Sequence, residues 1–285
     1  MSTHLQDTST PTWFVTGANR GLGAAIARAA LQAGFNVVAA ARHPDSLAAL
    51  ANEHGERLHA VALDVTSPEQ ARQAVDEALA RFGRIDVLVN NAGYGQLGPF
   101  EEIDGAAIRA QFDTNVFGLM EVTRAVLPTM RAQRAGHIFN MSSVGGLAGF
   151  AGASVYCASK FAVQGFSASL APEVAPFGIR VTSVSPGFFR TDFLDNRSVR
   201  YGEHAVSDYA DASSALRAQY DGYSHQQAGD PDKLAALLLA VAADPRPTVH
   251  AVVGADAMEI IGQELARVQG DIAAWAERSA ATAHA

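Results

Sequence analysis

Lysine is scarce in this chain of 285 residues: of 21 basic residues only Lys160 and Lys233 are lysines. The first closes the run Tyr156-Cys157-Ala158-Ser159-Lys160, and positions i and i+4 share one face of a helix. Together the two residues can do what neither does alone. A phenol titrates near pKa ~10 and is a poor acid or base at neutral pH, but a neighbouring cation favours its phenolate. An ammonium on a flexible stem can approach the phenol and still hold hydroxyl groups, whereas arginine's planar fork suits carboxylates and phosphates. Cys157, adjacent to the tyrosine, is expected to point elsewhere as a small, partly buried thiol.

A second set of residues suits phosphate. Thr16 to Gly23 reads TGANRGLG, and Gly17, Gly21 and Gly23 permit a tight turn that brings a diphosphate onto the N–H groups of a helix start. The spacing is not G-x-G-x-x-G. Asp64, the run Asn90-Asn91-Ala92-Gly93 and Pro186-Gly187 each end an apolar run, and in open α/β sheets such strand ends converge on one ligand crevice. Where an acid would bind a ribose 2′-hydroxyl, about 20 residues past the turn, the chain has Ala41, followed by Arg42. With Arg20 inside the turn, two guanidinium groups can meet a 2′-phosphate, so NADP(H) is the expected cofactor and NAD(H) the second choice.

These residues need a scaffold that aligns strand ends. WFVTG, NVVAAA, LHAVALD, IDVLVNNAG, HIFNMSS, RVTSVSPG and the segment from His250 to Val253 read as strands. Helical spacing runs over Gly21 to Ala33, Pro44 to His54, Pro68 to Phe82, about Tyr156 to Glu173, Pro231 to Val241 and Ala257 to Ala276. Alternation of this kind builds a parallel sheet with right-handed crossovers, and the continuous apolar runs fit strands covered on both faces. The segment from Arg190 to Asp230 is polar, rich in tyrosine and without a strand-like run; it is expected to be a helical lid insertion over the sheet. The expected fold class is α/β, a doubly wound parallel sheet of about seven strands forming one Rossmann-type catalytic domain over residues 1–285, with a polar tail at 1–11.

TGANRGLG, LDVT, NNAG, TNVFG, MSSVGG, YCASK and SPGFFRTD occur in that order between about Thr12 and Ala257. In this the sequence resembles the short-chain dehydrogenases/reductases, in the single-domain branch. The resemblance implies an NAD(P)-dependent oxidoreductase acting on a carbonyl or alcohol, with Ser143, Tyr156 and Lys160 catalytic and Asn115 holding a water that links Lys160 to solvent. It implies a cofactor cradle of Gly17, Asn19, Arg20, Gly21, Leu22, Gly23, Arg42, Asp64, Val65, Asn91, Ala92, Gly93, Pro186, Gly187, Phe188 and Thr191, with Tyr156 and Lys160 at the ribose. Ser142 is the neighbouring alternative to Ser143, expected to be hydrogen-bonded locally. A homodimer through the helices around Asn115 and Tyr156 is the family habit; a tetramer is in doubt, because the glycine-rich carboxyl-terminal segment of tetrameric members is missing.

Composition narrows the rest. A net charge of −8 without a basic run argues against nucleic acid or an anionic membrane as partner. One cysteine excludes an internal disulfide and a cysteine metal cluster, and scattered histidines suggest no metal site. The start carries no secretion pattern, and Leu234 to Ala243 is too short to span a bilayer, so a cytoplasmic protein is expected. Tyr94, Leu97, Leu147, Phe150, Phe188, Phe189, Phe193 and Leu194 follow strand ends and either wall the crevice or pack the lid. Apolar walls suit a medium-sized apolar ketone, aldehyde or secondary alcohol. A catalytically weak NADP(H) sensor would show a broken Tyr/Lys pair, which this chain does not; a nucleotide-sugar epimerase or dehydratase would need a longer substrate domain.

Overall fold

The computed structural model describes residues 10–195, 198–246 and 248–284. Of the expected tail, residues 1–9 lie outside the described residues. Seven strands form one parallel sheet: β1 (Thr12–Thr16), β2 (Asn36–Ala41), β3 (Leu58–Ala62), β4 (Val87–Asn90), β6 (Gly136–Met141), β7 (Ile179–Pro186) and β9 (His250–Val253), in the order β3-β2-β1-β4-β6-β7-β9. The order reverses beside β1, between β1 and β4, so the ends of those strands open a crevice.

Successive residues of β1 show why the strand is apolar throughout. Trp13 and Val15 join the cluster under α1 (Gly21–Gln32) and α8 (Pro231–Ala243); Phe14 faces the opposite cluster, under α3 (Pro68–Phe82), α5 (Leu119–Gln133) and α6 (Ser154–Val174). Local chemistry sets the helix starts. Pro68 opens α3 and Ser67 Oγ accepts the Gln70 N–H, while Asp230 accepts the Asp232 N–H before α8.

Between Pro44 and His54 the helix is divided, with a 3₁₀ turn over Pro44–Leu47 before α2 (Ala48–His54). Ahead of α5 run α4 (Gly105–Phe112) and a π-helical turn at Asp113–Gly118. The lid segment departs from expectation, because it does contain a strand. β8 (Val199–Tyr201) pairs in parallel with β5 (Gly95–Leu97), with Gly95 opposite Val199 and Leu97 opposite Tyr201. Strands of three residues carry no readable periodicity, and the pairing partner is a hundred positions away. A helix, α7 (Ala210–Tyr223), completes the lid. The last helix, α9 (Ala255–Ala280), packs through Ala257 and Ile261 and then runs out exposed. Among the described residues no helix is long and apolar enough to cross a membrane.

Candidate active site

The turn between β1 and α1 is closed on glycine. Gly17 and Gly21 have φ of 63° and 54°, and a Cβ on Gly23 would stand 2.2 Å from the Gly17 carbonyl oxygen, so the helix start packs directly on the turn. No side chain caps α1, whose first N–H groups are left to the crevice. Asn91 holds the turn from β4, its Nδ2 donating to the carbonyls of Thr16 and Gly17 at 3.0 and 3.2 Å. Thr16 Oγ1 in turn accepts the N–H groups of Asn91 and Ala92. Gly17, Asn19, Arg20, Gly21, Leu22, Arg42, Asp64, Val65, Asn91, Ala92 and Gly93 all line one cleft of about 960 Å³. Gly23 lies beneath it, in the packing.

The same cleft reaches Ser143, Tyr156 and Lys160. Ser143 Oγ accepts the Gly145 N–H at 3.0 Å, which leaves its proton for the Tyr156 phenol. Ser142 Oγ instead donates to the Lys160 carbonyl at 3.0 Å, the local role expected of it. Lys160 Nζ lies 5.8 Å from the centre of the Tyr156 ring and donates to the Met141 carbonyl at 2.8 Å. Burial pushes the phenol above its ordinary value, against the hydrogen bond from Ser143, and burial lowers Lys160 to about 8. Besides burial, the groups that act on the phenol are Ser143, Cys157 and Tyr220; Lys160 is not among them, so the lowering expected from its charge is not seen. Asn115 sits inside the π-helical turn, and its amide bridges Tyr94, accepting the backbone N–H at 3.1 Å and donating to the carbonyl at 3.0 Å.

Residues 11–201 match the short chain dehydrogenase family. The chain belongs to that family. It is 42% identical to oxidoreductase BOA17 of Botryotinia fuckeliana over 96% of this chain and 100% of the relative, and 38% identical to a 3-ketodihydrosphingosine reductase of Bacteroides thetaiotaomicron over 85% and 87%. Among solved structures it superimposes on a short-chain dehydrogenase of Streptomyces avermitilis with a TM-score of 0.89 and 39% identity, covering 97% of this chain and 99% of the other. A short chain dehydrogenase/reductase of Burkholderia phymatum in complex with NAD gives 0.81 at 25% identity, over 92% and 95%. A metagenomic short-chain oxidoreductase in complex with NADP gives 0.68 at 31%, over 86% and 97%.

What sits above the paired tyrosine and lysine is set by the segments after the strands. Pro186, Gly187, Phe188 and Thr191 line the cleft past β7. Tyr94, Leu97, Phe150, Phe189, Phe193 and Leu194 line it as well, with Phe193 5.8 Å from Tyr156 between ring centres. Leu147 does not; it packs against Val144, Ala257 and Ile261 under α9. Cys157 is buried and belongs to the apolar cluster of Leu97, Ala153, Leu194 and Val199, nearer to the tyrosine's surroundings than expected.

Sequence reasoning missed the polar residues that hold the walls. Gln111, fully buried, accepts the Gln96 N–H at 2.6 Å and donates to the Tyr94 carbonyl at 2.9 Å. Glu102, 4% exposed, receives Ser213 Oγ at 2.7 Å and the Val206 N–H at 3.3 Å, fastening the lid. Asp256, at the start of α9, accepts the Phe188 N–H at 2.7 Å. Each acts across long sequence distances, and no local motif marks it.

Proposed function

We propose that this chain is an NADP(H)-dependent oxidoreductase, a single catalytic domain that interconverts a medium-sized apolar ketone or aldehyde and its alcohol. The observation that carries the reading is the convergence of Ser143 and Lys160 on Tyr156 at the floor of a cleft whose far end holds the glycine turn and Arg42. Bound NADPH would supply the hydride. Ser143 orients and polarises the substrate oxygen, on which negative charge grows as hydride reaches the carbonyl carbon. Tyr156, held protonated by its burial, donates its proton to that oxygen. Lys160 would hold the ribose hydroxyls of the bound cofactor and would restore the proton through a water held at Asn115. The name of the reductase at 38% identity, which specifies a keto substrate, supports the same direction.

The preference for NADP(H) rests on Ala41, where an acid would repel a 2′-phosphate, and on Arg42, exposed at the cleft and without an ion pair among the described residues. Arg20 assists from the turn. A homodimer through the helices around Asn115 and Tyr156 is supported by Phe117 and Phe161, which stand 55% and 46% exposed there. The direct test is oxidation of NADPH and of NADH with a panel of aryl and alicyclic ketones, aldehydes and keto acids. Turnover of apolar ketones with NADPH is expected; better use of NADH, or a preference for small keto acids, overturns the reading.

A further inference from the structure

Beyond Ile261, helix α9 carries an apolar stripe that no other described residue of the chain covers. Met258, Ile261, Leu265, Val268, Ile272 and Trp275 follow one another at alternating spacings of three and four, a heptad repeat with Met258, Leu265 and Ile272 in the first core position. Ile261 is buried on the domain; beyond it Leu265, Val268, Ile272 and Trp275 are 56%, 40%, 65% and 57% exposed. The exposed length, residues 262–280, is ~29 Å of helix. It contains Gly262 and Gly270, around which a Cβ would meet nothing within 4 Å. Glycine is therefore not required there by the chain's own packing, and a solitary helix with two internal glycines depends on a partner for its stability.

We propose that α9 pairs with α9 of a second copy as a short antiparallel coiled coil. Charge selects the occupant and the direction. The helix has five acids, Asp256, Glu259, Glu264, Asp271 and Glu277, against Arg267 and Arg278, which disfavours an anionic membrane. In an antiparallel pair Leu265 layers against the partner's Trp275 and Val268 against the partner's Ile272. The flanking Glu264 then meets the partner's Arg278, twice by symmetry. Across the other flank Gly262 meets the partner's Ala276, two small residues that let the backbones close around the indole. Asp271 approaches its own copy near the axis, where Arg267, 3.1 Å away, offsets part of its charge while also holding Glu264 of its own helix at 2.6 Å. A parallel pair would set Glu264 against glutamine and Asp271 against alanine, with no charge pair. Arg278 lies 5.3 Å over the Trp275 ring, so the cation is held beside the stripe. This contact is separate from the pairing around Asn115 and Tyr156, and disrupting it should halve the assembly whether or not that pairing forms.

Sedimentation equilibrium of the full chain tests the proposal. Leu265→Glu/Ile272→Glu should halve the wild-type mass while NADPH affinity stays close to wild type, which shows that the catalytic domain itself is still folded. Glu264→Arg should weaken association about tenfold, since two symmetric pairs turn repulsive, and Glu264→Arg/Arg278→Glu should restore it. A mass unchanged by the double glutamate variant overturns the self-association. So does flotation of the wild type, but not that variant, with phosphatidylglycerol vesicles at unaltered mass. An unchanged constant for Glu264→Arg overturns the antiparallel pairing.

Discussion

The two ends of the cleft are built on different principles. At the glycine turn, backbone meets backbone: Gly23 packs on Gly17, Asn91 grips the turn, and the contacts join elements adjacent in the sheet. At the lid, apolar side chains such as Phe193, Leu97 and Leu194 form the wall, and position comes from a three-residue strand pair and one buried carboxylate, Glu102. The first end is a mould in which almost nothing can change. The second is a wall whose residues can vary while its anchors cannot, which is how one scaffold serves many substrates. Substitutions at the two ends should therefore fail in different measurements.

The largest effect lies where the ends meet. Tyr156→Phe removes the proton donor but leaves the ring that packs beside Phe193, so turnover should fall by about 10²–10⁴ while NADPH affinity changes little. Lys160→Ala should reduce both, because in the proposed mechanism the ammonium would serve ribose and proton alike. Fluorescence titration with NADPH beside steady-state rates separates the cases, and substantial turnover by Tyr156→Phe would remove the mechanism.

Next comes the mould itself. Ala41→Asp with Arg42→Ser should move preference from NADP(H) towards NAD(H) by about 2–3 kcal/mol, the worth of one charge-assisted hydrogen bond. Ketone KM should hold steady, since both positions lie at the turn end of the cleft. A ratio of catalytic efficiencies that does not move would free Arg42 from its assigned role.

How much of this was legible follows the same division. The seven strands of the main sheet stand as short runs rich in apolar and β-branched residues, with polar positions in β6 and β7, and the start of α3 announces itself in Ser67 and Pro68, because chain neighbours decide those features. Ser143, Tyr156 and Lys160 came from spacing and resemblance together. β5, β8, Gln111, Glu102 and Asp256 did not come at all: each is defined by a partner remote in sequence, and an isolated glutamate or glutamine looks like any solvated residue. Leu147 misled for the converse reason. Its place after a strand suggested the wall of the cleft or the packing of the lid, yet α9 arrives to cover it.

Glu102→Ala sharpens the comparison at the lid. Ser213 and the Val206 N–H would lose their acceptor inside the protein, which costs about 1–2 kcal/mol. That loss should appear as a roughly 5–30-fold rise in ketone KM with NADPH affinity unchanged. Equal loss of both affinities would mean that the two ends are a single cooperative unit.

The smallest effect is the most diagnostic, because Lys160 at the junction and the groups on the lid side of it respond to pH with opposite sign. Lys160, lowered to about 8 by burial, binds fewer protons folded than unfolded between pH 8 and the ordinary lysine value. Stability drawn from this group therefore rises with pH in that window, by at most about 1.4 kcal/mol per unit. On the lid side burial raises Tyr156, Tyr201, Tyr220 and the Cys157 thiol. Those groups keep their protons folded when the unfolded chain has lost them, so their contribution is complete at neutral pH and declines from about pH 9 upward, steeply past 10. Thermal melts from pH 7 to 11 should thus show Lys160→Met losing ground to the wild type as pH climbs from 8 to 10, since the variant lacks the one rising contribution and keeps the falling ones. Parallel curves would mean that Lys160 is solvated in the folded protein, and the lysine would then lose its place as the buried cation beside Tyr156.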